Sequence, residues 1–445
     1  GGDLRMALTD QSESMPRLSV KTVRIPSGIA SDPLSWFPDK SSKDICWFWE
    51  IPEDKTSWLG IGETESITLE GPTRFSEANK HFRKIVNLID WEAPDDAPPP
   101  RFAAGFSFDE NSKTNDWEFL GNSQLIFPRI QILRVGEDAW LTTTNGSLAE
   151  APLSPAPNPT QPTNTDPKKE ATEKDRNHYR NLVLTALKEI ENGDLEKAVP
   201  CRSLFIEKKP IIQNLLSSLR DSYPACATFC IYKDGNAFVG STPERLASTK
   251  NEKLYTAALA GSAPRAPNQA LDSALGQGLL TSPKEQNEHA LVVEEILRRL
   301  VALGLQPEVT LETTILKLNG IQHLYTPIHS QLNLEVALLE AIDALHPTPA
   351  VSGHPLKRAN ELRLKYESFD RGWFAGPIGW LDISGAGEFR VALRSGLINK
   401  KGTTLFAGAG VVNGSDPERE LIETDMKIKA MLDHIIALHD NENGQ

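Results

Sequence analysis

Up to about residue 150, short β-prone apolar runs alternate with turns, as in Trp47 to Ile51, Phe102 to Phe108 and Ile126 to Val135. This rhythm predicts antiparallel strands. It breaks at APLSPAPNPTQPTNTDPKK (151–169), which is rich in Pro, Thr and Asn and nearly free of large apolar residues. Such a stretch predicts an exposed loop or linker over 150–170, open to proteases. Beyond it, Tyr179, Leu182, Val183, Ala186, Leu187 and Ile190 recur at helical spacing, and Gly193 stands where a helix-ending glycine belongs. Lys197 opens KAVPCRSLFIE, where a helix gives way to a strand. Further helices are predicted over 211–220, 285–303, 335–345 and 416–438, with strands near 228–232, 387–393 and 404–407. In the second of these helices the buried stripe reads as Ala290, Leu291, Val293, Ile296 and Leu300. In the last it reads as Leu421, Ile428, Leu432 and Ile435. Strands arriving in groups among irregularly placed helices predict an α+β fold with large, mostly antiparallel sheets. No internal repeat is present. The expected division is a β-rich part over 1–149 belonging to the same folded body, the 150–170 loop, and a main region over 171–445.

Composition narrows the classes of function. With 445 residues, 39% hydrophobic and 24% charged, the chain can bury a large core. Lys and Arg total 47 against 60 Asp and Glu, a net charge of −13 that repels nucleic acid and anionic lipid. A small anion remains acceptable wherever cations or a metal gather locally. Cys46, Cys201, Cys226 and Cys230 are too few for a disulfide scaffold and lack zinc-site spacing, so reduced, packed thiols are expected. Cys226 and Cys230, four apart in a strand-like run, are expected on one face. No signal peptide, membrane-spanning run or lipidation motif is read, Gly1-Gly2 has the look of an expression remnant, and the expected compartment is the cytoplasm.

The candidate chemistry is concentrated near the C-terminus. LFAGAGVVNGSDPERELIETDMKIKAML reads as strand, glycine-rich turn and helix, with Ser415 or Asp416 as N-cap and Pro417 in the first turn. Glu420, Glu423 and Lys427 fall on one helical face. A charged stripe of this kind is commonly a solvated face. The turn with Gly408 and Gly410, however, suggests backbone N–H groups turned towards an anion. A dinucleotide fingerprint fails, because about 30 residues follow Gly414, too few for the rest of that unit. A second acidic helix start holds Glu285 and Glu288. Acidic residues there are ordinary dipole partners, but if Glu288 faced Glu423 across a cleft, a hard cation such as magnesium would relieve the repulsion. Lys197 and Glu244, the latter in FVGSTPERLAS, are each ordinary surface charges when taken alone.

Taken in order, KAVPCRSL, FVGSTPERL, ALAGSAPR, PKEQNEHALVVEEI, IQHLYTPI, LHPTPAVSGHP, FDRGWFAGPIGW, FRVALRSG and FAGAGVVNGSDPERELIETDMK resemble the motifs of the chorismate-utilising enzymes, from about Lys174 onward. That family includes isochorismate, salicylate, anthranilate and aminodeoxychorismate synthases. A lysine at position 197, with ALAGSAPR and PTPAV, is similar to the isochorismate synthases, which deliver water to the ring of chorismate rather than ammonia. The resemblance implies the family's chorismate-binding fold, with 171–445 as its catalytic region. It implies Lys197 as the base that activates water and Glu244 as the acid for the departing hydroxyl. It implies Mg²⁺ held by Glu288 and Glu423, with Glu285 and Glu420 as neighbours acting directly or through water. Arg394, Lys427 and the backbone at Gly261, Ser262, Gly408 and Gly410 would grip the substrate's negative groups, with His323 beside it and His346 structural. No glutamine amidotransferase subunit is expected; salicylate synthase is the nearest alternative activity. Phe374 departs from the tyrosine of many relatives, and the N-terminal 150 residues match none of these motifs.

Overall fold

The structure, a computed structural model, describes residues 16–112, 115–333 and 335–439. Gly1 and Gly2 lie outside these. Two large sheets, of eleven and ten strands, dominate the molecule. They are mostly antiparallel, whereas Leu18–Ile25 pairs with Ile89–Glu92 in parallel. The eleven-stranded sheet starts at the edge strand Cys201–Ile206 and runs through Gly402–Gly408, Ser395–Asn399, Asn236–Thr242 and Ala227–Lys233. It then continues into strands from the N-terminal third, beginning with Cys46–Ile51. The ten-stranded sheet likewise joins Arg101–Phe106 and Ser123–Phe127 to Pro377–Asp382, Gly387–Val391, Arg245–Lys250, Lys253–Pro264 and Ile321–Gln331.

The strand Ala227–Lys233 shows why these runs are apolar throughout. Alternate residues of a strand face opposite sides. Here Phe229 and Ile231 enter a core shared with the second sheet, which supplies Phe102, Phe106 and Phe389. Cys230 and Tyr232 enter an outer core against Leu215, Leu219, Ile428 and Leu432 of two covering helices, Ile212–Ser222 and Pro417–Ala437. With both sides covered, the strand has no solvated face to carry polar alternation.

Several expectations need correction. The run from 126 to 135 is two strands, Ser123–Phe127 and Ile130–Val135, and they belong to different sheets. Pro128 lies between them and has no N–H to give to a ladder. Helices Arg74–Val86, Gln269–Thr281 and Leu356–Tyr366 escaped the periodic reading. Their buried faces carry polar residues, Arg74 and Asn79 in the first, Asp272 in the second and Arg363 in the third. In Pro283–Ala302 the buried stripe is Glu288, His289, Val292, Glu295, Ile296 and Leu300, while Ala290 is exposed. Buried polar residues shifted this stripe by about one position from the apolar pattern. Cys226 precedes its strand and joins a different buried cluster from Cys230. All four thiols are free and buried.

Residues 151–166 have no regular secondary structure but lie along the outer helices. Ser217 Oγ donates to the Pro157 carbonyl (2.5 Å) and Ser218 Oγ to that of Thr160 (3.1 Å). Thr165 N–H donates to Asp433 Oδ1 (2.8 Å), and Lys429 Nζ to the Thr165 carbonyl (3.0 Å).

Candidate active site

The chain crosses from one sheet to the other at two places that lie side by side. Asn236–Thr242 belongs to the eleven-stranded sheet and Arg245–Lys250 to the other, so Glu244 stands at the crossing. Gly387–Val391 and Ser395–Asn399 cross back, with Arg394 between them. The two crossings are stitched together. Thr242 Oγ1 donates to the Val391 carbonyl (2.6 Å), Val391 N–H to the Glu244 carbonyl (3.0 Å), and Ser241 N–H to the Arg394 carbonyl (3.1 Å). Arg394 takes a left-handed backbone, φ 48°, which costs a non-glycine residue roughly 1–2 kcal/mol. Its guanidinium is thereby buried inside the crossing.

Arg394 donates to His323 Nε2 (2.8 Å). An arginine has no acceptor, so Nε2 must accept and the ring proton sits on Nδ1. Nδ1–H points at the Gly261 carbonyl (3.0 Å), with Ser262 Oγ also 3.0 Å away. Burial first, then the charge of Arg394, holds His323 well below its ordinary value and therefore neutral. Gly261 lies at a bulge in the pairing of Lys253–Pro264 with Ile321–Gln331 and has φ +87°. A Cβ there would come within 3.0 Å of Glu285 Oε2.

Lys197 reaches the same region from the opposite side. Lys197–Ala198 pairs with Gly353–His354, and Ala198 exchanges backbone hydrogen bonds with Val411 (3.0 and 2.7 Å). The residue is wholly buried. Its Nζ is 3.4 Å from Glu288 Oε1 and has no hydrogen-bond partner among the described residues. An unmade buried hydrogen bond costs about 1–3 kcal/mol, which marks a donor left available to a ligand. Gly410 makes room for the pair, since a Cβ there would lie 1.9 Å from Glu288 Oε1 and 3.0 Å from Lys197 Cε. Gly408 presents its carbonyl to Lys427 Nζ (2.8 Å), which also meets Glu423 Oε2 at 3.2 Å. The C-terminal helix begins only at Pro417, capped by Asp416. The glycines therefore act here through close approach, at a distance from that helix's first turn.

Glu244 is 5% exposed, and burial pushes its carboxyl up to about 7, against the pull of Arg394, Lys197 and Lys427. Arg394 and Lys427, whose charges act on Glu244, also line a small cavity of about 40 Å³ together with Gly408, Phe374, Val199 and Phe406. Phe374 stacks on Phe406 at 5.1 Å between centroids.

Glu285 and Glu288 from one helix and Glu420 and Glu423 from another form an acidic group. Burial, then Glu288, raises Glu285, and burial, then Glu423, pushes Glu420 to about 8. Glu285 Oε2 is buried without a hydrogen-bond partner among the described residues. Among those residues, no three His, Cys, Asp or Glu side chains converge as a ready-made metal centre. The donor set nevertheless fits a hard divalent cation in its chemistry, being all carboxylate oxygen, mutually repelling and incompletely satisfied.

The family model for "chorismate binding enzyme" matches residues 6–436. The chain belongs to the chorismate-binding enzymes. Among its relatives, the isochorismate synthase MenF of Bacillus subtilis is 32% identical over 90% of each chain. The salicylate biosynthesis isochorismate synthase of Pseudomonas aeruginosa is 31% identical, over 92% of this chain and 88% of that one. The solved menaquinone-specific isochorismate synthase of Escherichia coli superposes with a TM-score of 0.75 at 28% identity, covering 94% and 95% of the two chains. The anthranilate synthase component I of Streptococcus pneumoniae, at 19% identity and a TM-score of 0.69, shares the fold.

Two residues of this chorismate-binding enzyme's site went unread in the sequence. His289 is buried beside Glu288, with Nδ1 3.1 Å from the Ala260 carbonyl and Nε2 2.6 Å from Thr326 Oγ1, and so pins the acidic helix to the sheet. Lys284 stands between the acidic helix starts, 3.1 Å from both Glu285 Oε1 and Glu420 Oε1. The available signal was a lysine in the first turn of a helix, the end that disfavours cations. Among the described residues, no helix is long and apolar enough to cross a membrane.

Proposed function

We propose that the chain is an isochorismate synthase, converting chorismate reversibly to isochorismate, with Lys197 as general base and Glu244 as general acid. The observation that carries this reading is that two buried groups of opposite chemistry, Lys197 and Glu244, lie near enough for the charge of one to act on the other. Lys197 presents an amine with no hydrogen-bond partner among the described residues, and Glu244 a carboxyl pushed to about 7. A carboxyl tuned to that range keeps a proton to give at neutral pH. In this mechanism Lys197 takes a proton from water as its oxygen bonds to ring carbon C2. The ring double bonds shift, the C4–O bond breaks, and Glu244 protonates the departing hydroxyl, so one water enters and one leaves. Choice of water over ammonia rests on Lys197.

Arg394, Lys427 and the backbone of Gly261, Ser262, Gly408 and Gly410 orient the substrate's negative groups, with neutral His323 alongside. Arg394 suits this role because its planar fork grips carboxylates. Glu288 and Glu423 would hold Mg²⁺, with Glu285 and Glu420 beside them. When bound, the ion supplies positive charge to the substrate's ring carboxylate. The reaction is assigned to the cytoplasm and needs no glutamine-hydrolysing subunit.

Chromatography of the products formed from chorismate and Mg²⁺, with and without ammonium, tests the reading. Isochorismate alone in both is expected. Salicylate with pyruvate, or an amino product, would replace it with the corresponding synthase. Lys197→Ala and Glu244→Gln should each lower turnover by about two to four orders of magnitude; unchanged rates would remove both roles.

A further inference from the structure

Four carboxylates gather at the starts of Pro283–Ala302 and Pro417–Ala437, and three lysine side chains answer them. Lys197 meets Glu288, and Lys427 meets Glu423. Lys284 alone contacts both helices, at 3.1 Å to Glu285 and 3.1 Å to Glu420. It occupies the second position of its helix, after Pro283 and the Ser282 cap. A cation there opposes the helix dipole, and its position is explained by the carboxylates it joins.

The three lysines differ in their freedom to move. The Lys197 side chain is 0% exposed and enclosed by Gly410 and Glu288. Lys427 is held by the Gly408 carbonyl as well as by Glu423. Lys284 is 23% exposed, and both of its contacts are to carboxylates. A long, flexible stem lets such a group reach water while its base stays fixed. A divalent ion and an ammonium cannot both sit within contact distance of the same two carboxylates without strong repulsion.

We propose that Lys284 is an internal counter-ion that spans the two acidic helix starts in the metal-free enzyme and swings into solvent when a divalent cation binds. Lysine and metal thus compete for Glu285 and Glu420. The inference rests on reading these glutamates as the magnesium site. It makes Lys284 a positioning residue: it keeps the acidic helices together before the metal arrives and weakens the metal's hold afterwards.

The test uses the full chain without substrate. Calorimetric titration with Mg²⁺ should show K284Q binding at least about tenfold more tightly than wild type, with K284R close to wild type. Metal-free K284Q should melt at a lower temperature. In the unaltered protein, acetylation of Lys284 followed by mass spectrometry should speed up several-fold on adding Mg²⁺, and this labelling decides alone if K284Q does not fold. Equal or weaker Mg²⁺ binding by K284Q, or labelling of Lys284 that Mg²⁺ leaves unchanged, would overturn the competition while leaving the metal site standing. A wild-type chain that takes up no Mg²⁺ would overturn the metal reading and this inference with it.

Discussion

Glu244 carries opposite consequences for activity and stability. Its folded value of about 7 lies above the ordinary 4.5, so the folded state keeps a proton that the unfolded chain releases between those values. Stability is therefore lost as pH rises through that window, and above it the charged, buried carboxylate costs roughly 3 kcal/mol at about 1.4 kcal/mol per pH unit. Glu244→Gln should be the more stable protein at pH 8 by up to that amount in urea unfolding, although it is nearly inactive. In the wild type the rate should fall as pH rises through about 7, because the acid form disappears, and this limb should be absent from the residual rate of the variant. Gly410→Ala is a second case. Its methyl group would fall within 1.9 Å of Glu288 Oε1, forcing the Lys197–Glu288 pair apart. Turnover should drop at least a hundredfold while far-UV circular dichroism stays unchanged; a rate near wild type would show that the contact is dispensable. Gly410 stood out in the sequence as part of a glycine-rich turn, whereas the importance of Glu244 was not visible from composition or periodicity. Lys197 and Glu244 look like surface charges in sequence and were singled out only by their ordered motifs, because the burial of both depends on strands far away in the chain. Lys284 lies within PKEQNEHALVVEEI, but its link to Glu420 depends on a helix more than 130 residues away in the chain.

At the scale of elements, the C-terminal helix is anchored from behind. Arg176 grips Asp425 with two bonds of 2.9 Å, and Arg202 donates to Asp425 and, at 2.8 Å, to Thr424 Oγ1, all of it buried. This cluster fixes the rotation of the helix that presents Glu420, Glu423 and Lys427. Removing one partner of a buried ion pair typically costs about 3–5 kcal/mol, because the other charges stay buried. Asp425→Asn should therefore unfold at markedly lower urea concentration and lose turnover together with stability; a loss below about 1 kcal/mol would show that the arginines find other partners. This helix was well defined in sequence, predicted over 416–438 and found as Pro417–Ala437, because it has a cap, a proline and a clean apolar stripe. Helix Pro283–Ala302 had similar bounds but a shifted face, since the pattern counts Glu288, His289 and Glu295 as solvated when they are buried. The three unread helices failed for the same reason.

At the scale of the whole molecule, the α+β class and the dominance of antiparallel strands were legible, whereas the partition into two sheets was not. Neighbouring runs such as Ser123–Phe127 and Ile130–Val135 look continuous yet serve different sheets. Residues 151–166 carry no strand, but Asp433, Ser217 and Ser218 tie them to the outer helices. Asp433→Ala should speed cleavage there by a broad-specificity protease several-fold, at about 1 kcal/mol or less in global stability, since the lost contacts are few and partly solvated. An unchanged cleavage rate would mean that the other anchors suffice.

The edge strand Cys201–Ile206 has Gly402–Gly408 as its neighbour in the sheet, about 200 residues later in the chain. A ribosome adding roughly 5–20 residues per second needs about 10–40 s to cover that interval. For that time a newly made chain holds an apolar strand with its ladder open, an invitation to pair with a neighbouring nascent chain. Slower synthesis lengthens the exposure. Yield of folded enzyme should thus depend on translation speed and on helpers that shield the growing chain, and much less on the final stability of the finished molecule.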